Sequence, residues 1–322
     1  MGVIYLNQYL KRPIEYIPLG NWPTPIQHLK LSFKFDLYIK RDDLSSDEYG
    51  GNKIRKLELI LPKIKDKDLL ISFGGSGSHQ LGALALYSKR YGYKLISIIK
   101  SQYPTYYQKK IYEIIKENSY RIIEIEDLDP FVIVRTLKEI VKNKTYILFP
   151  GGTTPLTVAG YIGAVIELVE QIKQNRLPYP EKIYIAVGSG GSCAGILAGV
   201  WLLNLPIKVI GVKIVNSFTA TKRYIVELAK LSLKYLDYKY GLKKRYRFDL
   251  SSFYLEENFI GKGYGYPTKE AIDAINYFSK KLPDLTLEPT YTAKTLSALL
   301  SREKEVVVLY WHTAPRIYKK LY

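Results

Sequence analysis

Short apolar runs alternate with longer amphipathic segments along most of the chain. Runs of this length are typical of strands buried in a sheet, and they lie at 35–40, 69–73, 94–99, 121–125, 146–149, 182–187, 208–215 and 305–310. Between them, apolar residues recur every three or four positions and predict helices. These helices lie at 53–61, 79–91, 104–118, 130–142, 155–174, 192–203, 219–235, 268–281 and 293–300. Strands that alternate with helices indicate an α/β protein whose parallel sheet carries helices on both faces.

Two stretches do not follow this alternation. Apart from the run at 35–40, residues 1–52 are irregular in pattern. Residues 234–256 are basic and rich in tyrosine, with no clean period, and we expect a surface excursion or a lid there.

Composition indicates a folded, globular protein. The chain has 322 residues, long enough for two domains of ordinary size, with 47% hydrophobic and 24% charged residues. The longest apolar run, 194–203, is too short to span a bilayer, and residues 1–6 lack the basic start of a signal peptide. A single cysteine excludes an internal disulfide, so the cytoplasm is the expected compartment and no membrane association is expected.

The net charge of +18 raises the question of a nucleic-acid partner. The lysines are spread along the whole chain at helical spacings, as on solvated faces, so nucleic-acid binding is not favoured. The best candidate for a nucleic-acid-binding site is the cluster at 234–247, where basic residues and tyrosines interleave. Abundant lysine with scarce Met, Cys and His is typical of heat-adapted proteins, and an AT-rich genome produces the same bias.

The first candidate for chemistry is Lys53, in the segment Gly50-Gly51-Asn52-Lys53. The two glycines and the asparagine predict a tight turn, and Lys53 then lies in the first turn of a helix. The positive end of a helix dipole disfavours a cation. An amine there loses its proton more easily, and Schiff-base chemistry requires a neutral amine.

The second candidate is the loop 188–192, which follows a strand and precedes a helix. Its glycines allow the backbone to approach a ligand, and its amides with the helix N-terminus favour an anion. The dinucleotide pattern is absent, because Cys193 stands where a third glycine is needed and Val215-Asn216 stands where an acidic residue is needed. A phosphate ester is the better fit.

A third loop, 74–78, is also rich in glycine and adds serine hydroxyls. It could hold a substrate carboxylate, with His79 as a possible base or donor. The three histidines show no spacing typical of metal ligands, so no metal is predicted. A lysine at a helix start, a phosphate loop and a carboxylate loop together point to pyridoxal phosphate.

The segment 50–58 resembles the cofactor-lysine motif of the 1-aminocyclopropane-1-carboxylate deaminase and D-cysteine desulfhydrase family. The resemblance extends to 23–25, 38–44, 187–191, 263–265 and 288–292. It implies two open, mostly parallel twisted sheets with helices on both faces, as in tryptophan synthase β-like enzymes. It also implies a large cofactor domain (1–52 and 156–322), a small inserted domain (53–155), an active site in the cleft between them, and a homodimer.

The resemblance also implies roles for individual residues. Lys53 would bind the cofactor covalently and take the Cα proton of a small amino-acid substrate, while Ser78, Tyr264 and Tyr291 would face that substrate. The other cofactor-binding positions would be Asn52, His79, Gly188, Ser189, Gly190, Gly191, Ser192, Thr292 and Thr313. At the position of Thr292, the ring-opening deaminases of the family resemble one another in having glutamate. The desulfhydrases have threonine there. The chain therefore looks like a desulfhydrase that forms pyruvate, ammonia and sulfide.

Two departures affect the site. His79 replaces an asparagine that contacts the cofactor ring hydroxyl in the family, and Ala314-Pro315 replaces a pair of glycines. These leave other readings open: a ring-opening deaminase, another β-eliminase or β-replacement enzyme, or a non-catalytic nucleic-acid-binding protein with a decayed cofactor site.

Overall fold

The structure is a computed structural model that describes residues 2–30, 35–65, 69–126, 130–140, 144–304 and 306–316. The chain divides into two compact units. Unit 1 comprises Met1–Leu59 and Thr153–Tyr322, and unit 2 comprises Ile60–Gly152. The predicted helix end at 141–142 and the predicted strand start at 305 lie outside the described residues.

The described elements follow the predicted alternation of strands and helices. The strands are β1 (Ile26–Leu29), β2 (Asp36–Arg41), β3 (Leu69–Gly75), β4 (Leu95–Lys100), β5 (Arg121–Ile125), β6 (Thr145–Leu148), β7 (Lys182–Val187), β8 (Lys208–Lys213), β9 (Phe253–Glu256) and β10 (Val307–His312). The helices are α1 (Gly2–Asn7), α2 (Lys53–Ile60), α3 (His79–Arg90), α4 (Tyr106–Asn118), α5 (Pro130–Ile140), α6 (Pro155–Lys173), α7 (Gly191–Leu203), α8 (Lys222–Tyr240), α9 (Lys269–Lys281) and α10 (Thr292–Arg302).

Unit 1 is built on a six-stranded sheet of order β1-β2-β10-β7-β8-β9. Only the pairing of β1 with β2 is antiparallel in this sheet; the other four pairings are parallel. Helices α6, α7 and α8 pack against one another on one face, and α9 and α10 contribute to the apolar cluster on the other. The carboxyl ends of β7 and β8 therefore open onto helix starts, where ligands bind in sheets of this kind.

Unit 2 has a four-stranded parallel sheet of order β5-β4-β3-β6. Its apolar cluster is formed by β3 and β4 side chains, such as Phe73 and Ile98, together with Ile133 of α5. The two mostly parallel sheets with flanking helices confirm the predicted α/β class.

The prediction of a surface excursion over 234–256 is wrong at both ends of the segment, while residues 243–249 between them are irregular and mostly exposed. Helix α8 continues to Tyr240, because Leu233, Leu236 and Tyr240 keep the helical spacing and are buried. After a basic turn, Phe253 begins β9, which is the edge strand of the unit 1 sheet. The indole of Trp201 donates to the carbonyl of Asp249 at 2.8 Å and so fixes the connection.

The opening of the chain is more regular than predicted. Residues 2–7 form α1, which packs on α6, and Ile26–Leu29 form the antiparallel edge strand β1. Neither stretch has an apolar run long enough to predict it. Helix α6 is long and apolar enough to cross a membrane, but 83% of that stretch is buried inside the protein, as expected of a core helix.

Candidate active site

The turn before Lys53 is held against the end of β10. Gly50 and Gly51 have φ angles of +74° and +80°, in the left-handed region that favours glycine. A Cβ on Gly51 would lie 2.9 Å from the carbonyl oxygens of Thr313 and Ala314. The amide of Asn52 donates to the Thr313 carbonyl at 3.3 Å. Lys53 therefore begins α2 at a defined place beside the carboxyl end of the sheet.

The amine of Lys53 has the chemistry that a Schiff base needs. Burial lowers its pKa to about 8, because the interior disfavours the charged form. The sequence predicts a lowered pKa from the position of Lys53 at the helix N-terminus. In the structure, the cause of the lowered pKa is burial. A substantial fraction of the amine is neutral near pH 8 and can attack an aldehyde.

Lys56 is a second lysine of the site that the sequence analysis did not single out. It is fully buried, and its Nζ donates to Thr153 Oγ1 at 2.9 Å. Thr153 Oγ1 in turn lies 2.9 Å from Ser189 Oγ. Burial, with the charge of Lys53 as the second cause, holds the pKa of Lys56 well below its usual value. The signal in the sequence is the spacing of three from Lys53, which places both lysines on one side of α2.

The glycine loop 188–192 connects β7 to α7 and adjoins Lys56. Gly190 has a φ of +75°. A Cβ on Gly191 would lie 2.6 Å from Thr153 Oγ1 and 2.7 Å from Lys56 Nζ, so only glycine fits. Asn52 Nδ2 donates to Ser192 Oγ at 3.1 Å. The structure thus gathers a buried amine, hydroxyl groups and a helix N-terminus at one place, which is the donor set that a phosphate group requires.

Tyr291 lies beside this loop and pairs with Tyr264. The hydroxyl groups of Tyr264 and Tyr291 lie 2.5 Å apart, and their rings meet edge to face. Burial raises the pKa of Tyr264 to about 12, so this phenol keeps its proton at neutral pH. A Cβ on Gly188 would lie 3.4 Å from Cε1 of Tyr291, so this tyrosine stands beside the glycine loop.

Thr292 is fixed at the start of α10 by Glu288. The Glu288 carboxylate accepts backbone N–H groups from Thr290, Tyr291 and Thr292 at 2.7–2.9 Å. The Thr292 hydroxyl accepts the Glu288 amide at 2.9 Å. Burial raises the pKa of Glu288, and these hydrogen bonds oppose the rise. Glu288 thus orders the segment that carries Tyr291 and Thr292, a role the sequence does not reveal.

Thr313 lies just beyond β10 and is buried. The phenol of Tyr310 donates to the Thr292 carbonyl at 3.1 Å and also hydrogen-bonds to Nδ1 of His312 at 3.1 Å. The end of β10 and the start of α10, which carry the two predicted threonines, are therefore in direct contact.

Unit 2 carries the remaining predicted residues at the start of α3. Ser78 is the N-cap and accepts the Leu81 amide at 3.3 Å, and His79 is buried. Gln80, next in the chain, is also buried, and neither atom of its amide has a hydrogen-bond partner among the residues that the structure describes. A buried amide of this kind is ready to bind a polar ligand.

A buried network of ion pairs holds α2 within unit 1. Arg55 Nη2 lies 2.7 Å from Asp42 Oδ1, and Arg55 Nη1 lies 3.0 Å from Glu167 Oε2. Lys40 Nζ also contacts Glu167 at 2.5 Å. Burial by itself would raise the pKa of Glu167, but Arg55 and Lys40 bring it down to about 2. These pairs hold residues 53–59 of α2 within unit 1.

The fold and the donor set define a pyridoxal-phosphate enzyme. The family model for pyridoxal-phosphate-dependent enzymes matches residues 17–310. A protein of Thermotoga maritima, provisionally named as a 1-aminocyclopropane-1-carboxylate deaminase, is 32% identical over 313 residues, covering 92% of this chain and 95% of the relative. The D-cysteine desulfhydrase of Salmonella typhi is 24% identical over 296 residues, covering 86% and 85%.

A solved structure is similar as well. The crystal structure of a homologue of 1-aminocyclopropane-1-carboxylate deaminase superposes with a TM-score of 0.77 at 27% identity, covering 97% of this chain and 94% of that one. The chain belongs to the 1-aminocyclopropane-1-carboxylate deaminase and D-cysteine desulfhydrase family of pyridoxal-phosphate-dependent enzymes. It is an enzyme that acts on a small amino acid with pyridoxal phosphate as its cofactor.

The residues present fit this cofactor. Lys53 supplies an amine of lowered pKa, and the loop 188–192 with Lys56 and Thr153 supplies donors for a phosphate group. The glycine at 191 keeps open the space that a side chain would fill.

Proposed function

We propose that the enzyme catalyses β-elimination on D-cysteine, consuming water and releasing pyruvate, ammonia and hydrogen sulfide. The observation that carries the proposal is Thr292, a buried hydroxyl, which by the family resemblance would be the partner of the ring nitrogen. A hydroxyl leaves that nitrogen largely unprotonated, whereas a carboxylate would favour its protonation. Weaker electron withdrawal suits a substrate whose leaving group departs readily, as sulfide does.

In this proposal, Lys53 is the base, and Lys56 and the glycine loop bind the cofactor phosphate. When bound, pyridoxal phosphate supplies the aldehyde that captures the substrate amine and a ring that withdraws electrons from Cα. Lys53 would take the proton from Cα of the substrate, and its lowered pKa provides a neutral base near pH 8. The phosphate group would be held by Lys56, Thr153, Ser189 and Ser192, which would so orient the reacting carbon.

The tyrosine pair and Ser78 complete the proposal. Tyr264 and Tyr291 share one hydrogen bond, and we assign this pair as the phenols that face the substrate and its leaving group. The raised pKa of Tyr264 makes it a proton donor and not a base at neutral pH. From unit 2 we assign Ser78 as a hydroxyl that contacts the substrate.

The test compares D-cysteine, L-cysteine and 1-aminocyclopropane-1-carboxylate as substrates of the purified holoenzyme. We expect sulfide and pyruvate in equal amounts from D-cysteine, with no product in Lys53→Ala. Thr292→Ser should keep the activity because it keeps the hydroxyl, and Thr292→Glu should lose most of it. Release of 2-oxobutanoate and ammonia from 1-aminocyclopropane-1-carboxylate, with no sulfide from D-cysteine, would establish ring opening instead.

A further inference from the structure

The loop that carries Tyr264 has little backbone preference of its own. Residues 260–265 read Ile-Gly-Lys-Gly-Tyr-Gly, and all three glycines have positive φ angles: +64° at Gly261, +129° at Gly263 and +84° at Gly265. Glycines in such conformations lose much chain entropy on ordering. Contacts from outside the loop must therefore hold it.

Lys294 supplies such contacts. It lies in the first turn of α10, three residues after Tyr291, and it is fully buried. Its Nζ donates to the carbonyl of Ile260 at 2.7 Å and to that of Gly263 at 3.3 Å. The two accepting carbonyls lie on the N-terminal side of Tyr264, one of them on the residue directly before it.

The start of α10 thus makes two kinds of contact with the loop 260–265. Tyr291 hydrogen-bonds to the phenol of Tyr264, and Lys294 hydrogen-bonds to the backbone of the loop. Residues three apart on a helix share a face, so both contacts come from one rigid element. A charged donor to a neutral carbonyl is also stronger than a neutral hydrogen bond.

We propose that Lys294 is a positioning residue whose ammonium group holds the glycine loop 260–265 so that the phenol of Tyr264 meets that of Tyr291. Lys294 itself does not touch the substrate. Its effect on turnover rests on the proposed function, in which Tyr264 faces the substrate; its effect on the loop does not.

The protonation of Lys294 adds a pH dependence to this contact. Burial lowers its pKa to about 8, against the opposing charge of Glu288. The loop also carries Tyr264 and the exposed Lys262. Tyr264 stays neutral in this range because its pKa is raised to about 12. Above pH 8 the amine becomes neutral and its hydrogen bonds to the two carbonyls weaken, so the loop loosens as the pH rises.

Trypsin cleavage at Lys262 measures the loop directly, because this lysine is exposed at its centre. We expect Lys294→Met to speed cleavage at Lys262 about tenfold or more, since it removes two charge-assisted hydrogen bonds. Lys294→Arg should stay near the wild-type rate. Lys280→Met removes an exposed lysine from α9 and should change nothing at Lys262. Equal cleavage of wild type and Lys294→Met would overturn the proposal.

A second measurement keeps the test decisive if Lys294→Met does not fold. Cleavage of the wild type at Lys262, normalised to trypsin activity on a small arginine substrate at each pH, should accelerate between pH 7 and 9. Lys294→Arg should show no such change, because arginine stays charged. A wild-type rate that is flat across this range contradicts the proposal.

Kinetics separate the positioning role from a merely structural one. With D-cysteine, Lys294→Met should lower kcat/KM at least tenfold while the visible absorption of the lysine-bound cofactor is retained. Faster cleavage with unchanged kcat/KM would overturn the positioning role. If D-cysteine is not a substrate of the wild type, the proposed function fails, and the cleavage data still decide whether Lys294 holds the loop.

Discussion

The amine of Lys56 donates a hydrogen bond of 2.9 Å to the hydroxyl of Thr153. Thr153 lies 97 positions later in the chain and directly before the N-cap of α6. The contact joins α2, which carries Lys53, to the hydroxyl that also meets Ser189 of the glycine loop. One buried lysine thus links the helix of the proposed cofactor lysine to the loop that we propose binds the phosphate group.

Replacing Lys56 should weaken cofactor binding more than it weakens the fold. We expect Lys56→Gln to raise the Kd for pyridoxal phosphate about tenfold to a hundredfold, since a phosphate anion would favour the protonated form of this buried amine and make the contact charge-assisted. The Kd is measured by titrating the cofactor-free protein and following visible absorption. Lys222→Gln, at an exposed lysine at the start of α8, is the control and should leave the Kd unchanged. An unaltered Kd in Lys56→Gln would remove this residue from the phosphate site.

The pKa of Lys53 predicts how the cofactor-free protein captures pyridoxal phosphate. With a pKa of about 8, about a tenth of the amine is neutral at pH 7 and about nine tenths at pH 9. The rate at which the visible band develops should therefore rise with pH and level off, with a midpoint near 8. Stopped-flow absorption at constant ionic strength measures it. A midpoint near 10 would show that Lys53 is not desolvated.

The sequence predicts much of this fold because its signals are local. Thr154 and Pro155 predict the start of α6, and in the structure the Thr154 side chain accepts the Thr157 amide. Apolar runs likewise predict the inner strands of both sheets. Strand β1 escapes prediction because it is a four-residue antiparallel edge with a single buried residue.

The site is less visible in the sequence, because its residues acquire meaning from distant neighbours. In the sequence, Lys56 cannot be told from the other helix lysines. Its contacts with Thr153 and the glycine loop distinguish it, and they form only in the folded chain. Lys294 differs from a surface lysine only through two loop carbonyls more than thirty positions earlier. Neither contact has a local pattern, so only the folded chain identifies these residues.

The buried ion pairs predict a loss of stability in acid. The pKa of Glu167 is about 2 in the folded protein against an ordinary value of 4.5. Its contribution is therefore fully present above pH 4.5 and lost as the pH falls towards 2. This difference corresponds to about 3 kcal/mol of unfolding free energy, and urea unfolding between pH 7 and 2 measures it.

Two glutamate variants on α6 isolate that effect. Glu167→Gln leaves Lys40 and Arg55 partly unpaired and should lower the unfolding free energy at pH 7 by about 3–5 kcal/mol. It should also lose less stability than the wild type between pH 4.5 and 2. Glu170→Gln is the control, three positions further along α6. It removes a partly exposed carboxylate, and its stability should depend on pH as that of the wild type does. Parallel acid curves for wild type and Glu167→Gln would contradict the assignment.

Replacing Gln80 by methionine should raise the stability of the fold and weaken substrate binding. Its buried amide has no hydrogen-bond partner among the described residues, so Gln80→Met removes an unsatisfied polar group at nearly constant volume. We expect the unfolding free energy to rise by about 1–3 kcal/mol. If the amide binds the amino-acid substrate, the same change should raise KM for D-cysteine about tenfold. Urea unfolding and steady-state kinetics measure the two effects.

Ser88→Ala provides the matched control on the same helix. The Ser88 hydroxyl is also buried without a hydrogen-bond partner among the described residues, fully enclosed within α3. Removing it should raise stability by a similar mechanism and leave KM unchanged, because Ser88 lies eight positions further along α3 than Gln80, away from the predicted site residues at the start of the helix. An equal KM in Gln80→Met and the wild type would mean that the Gln80 amide has no part in substrate binding. A raised KM in Gln80→Met alone would identify it as a polar contact that the fold keeps for the substrate at a cost in stability.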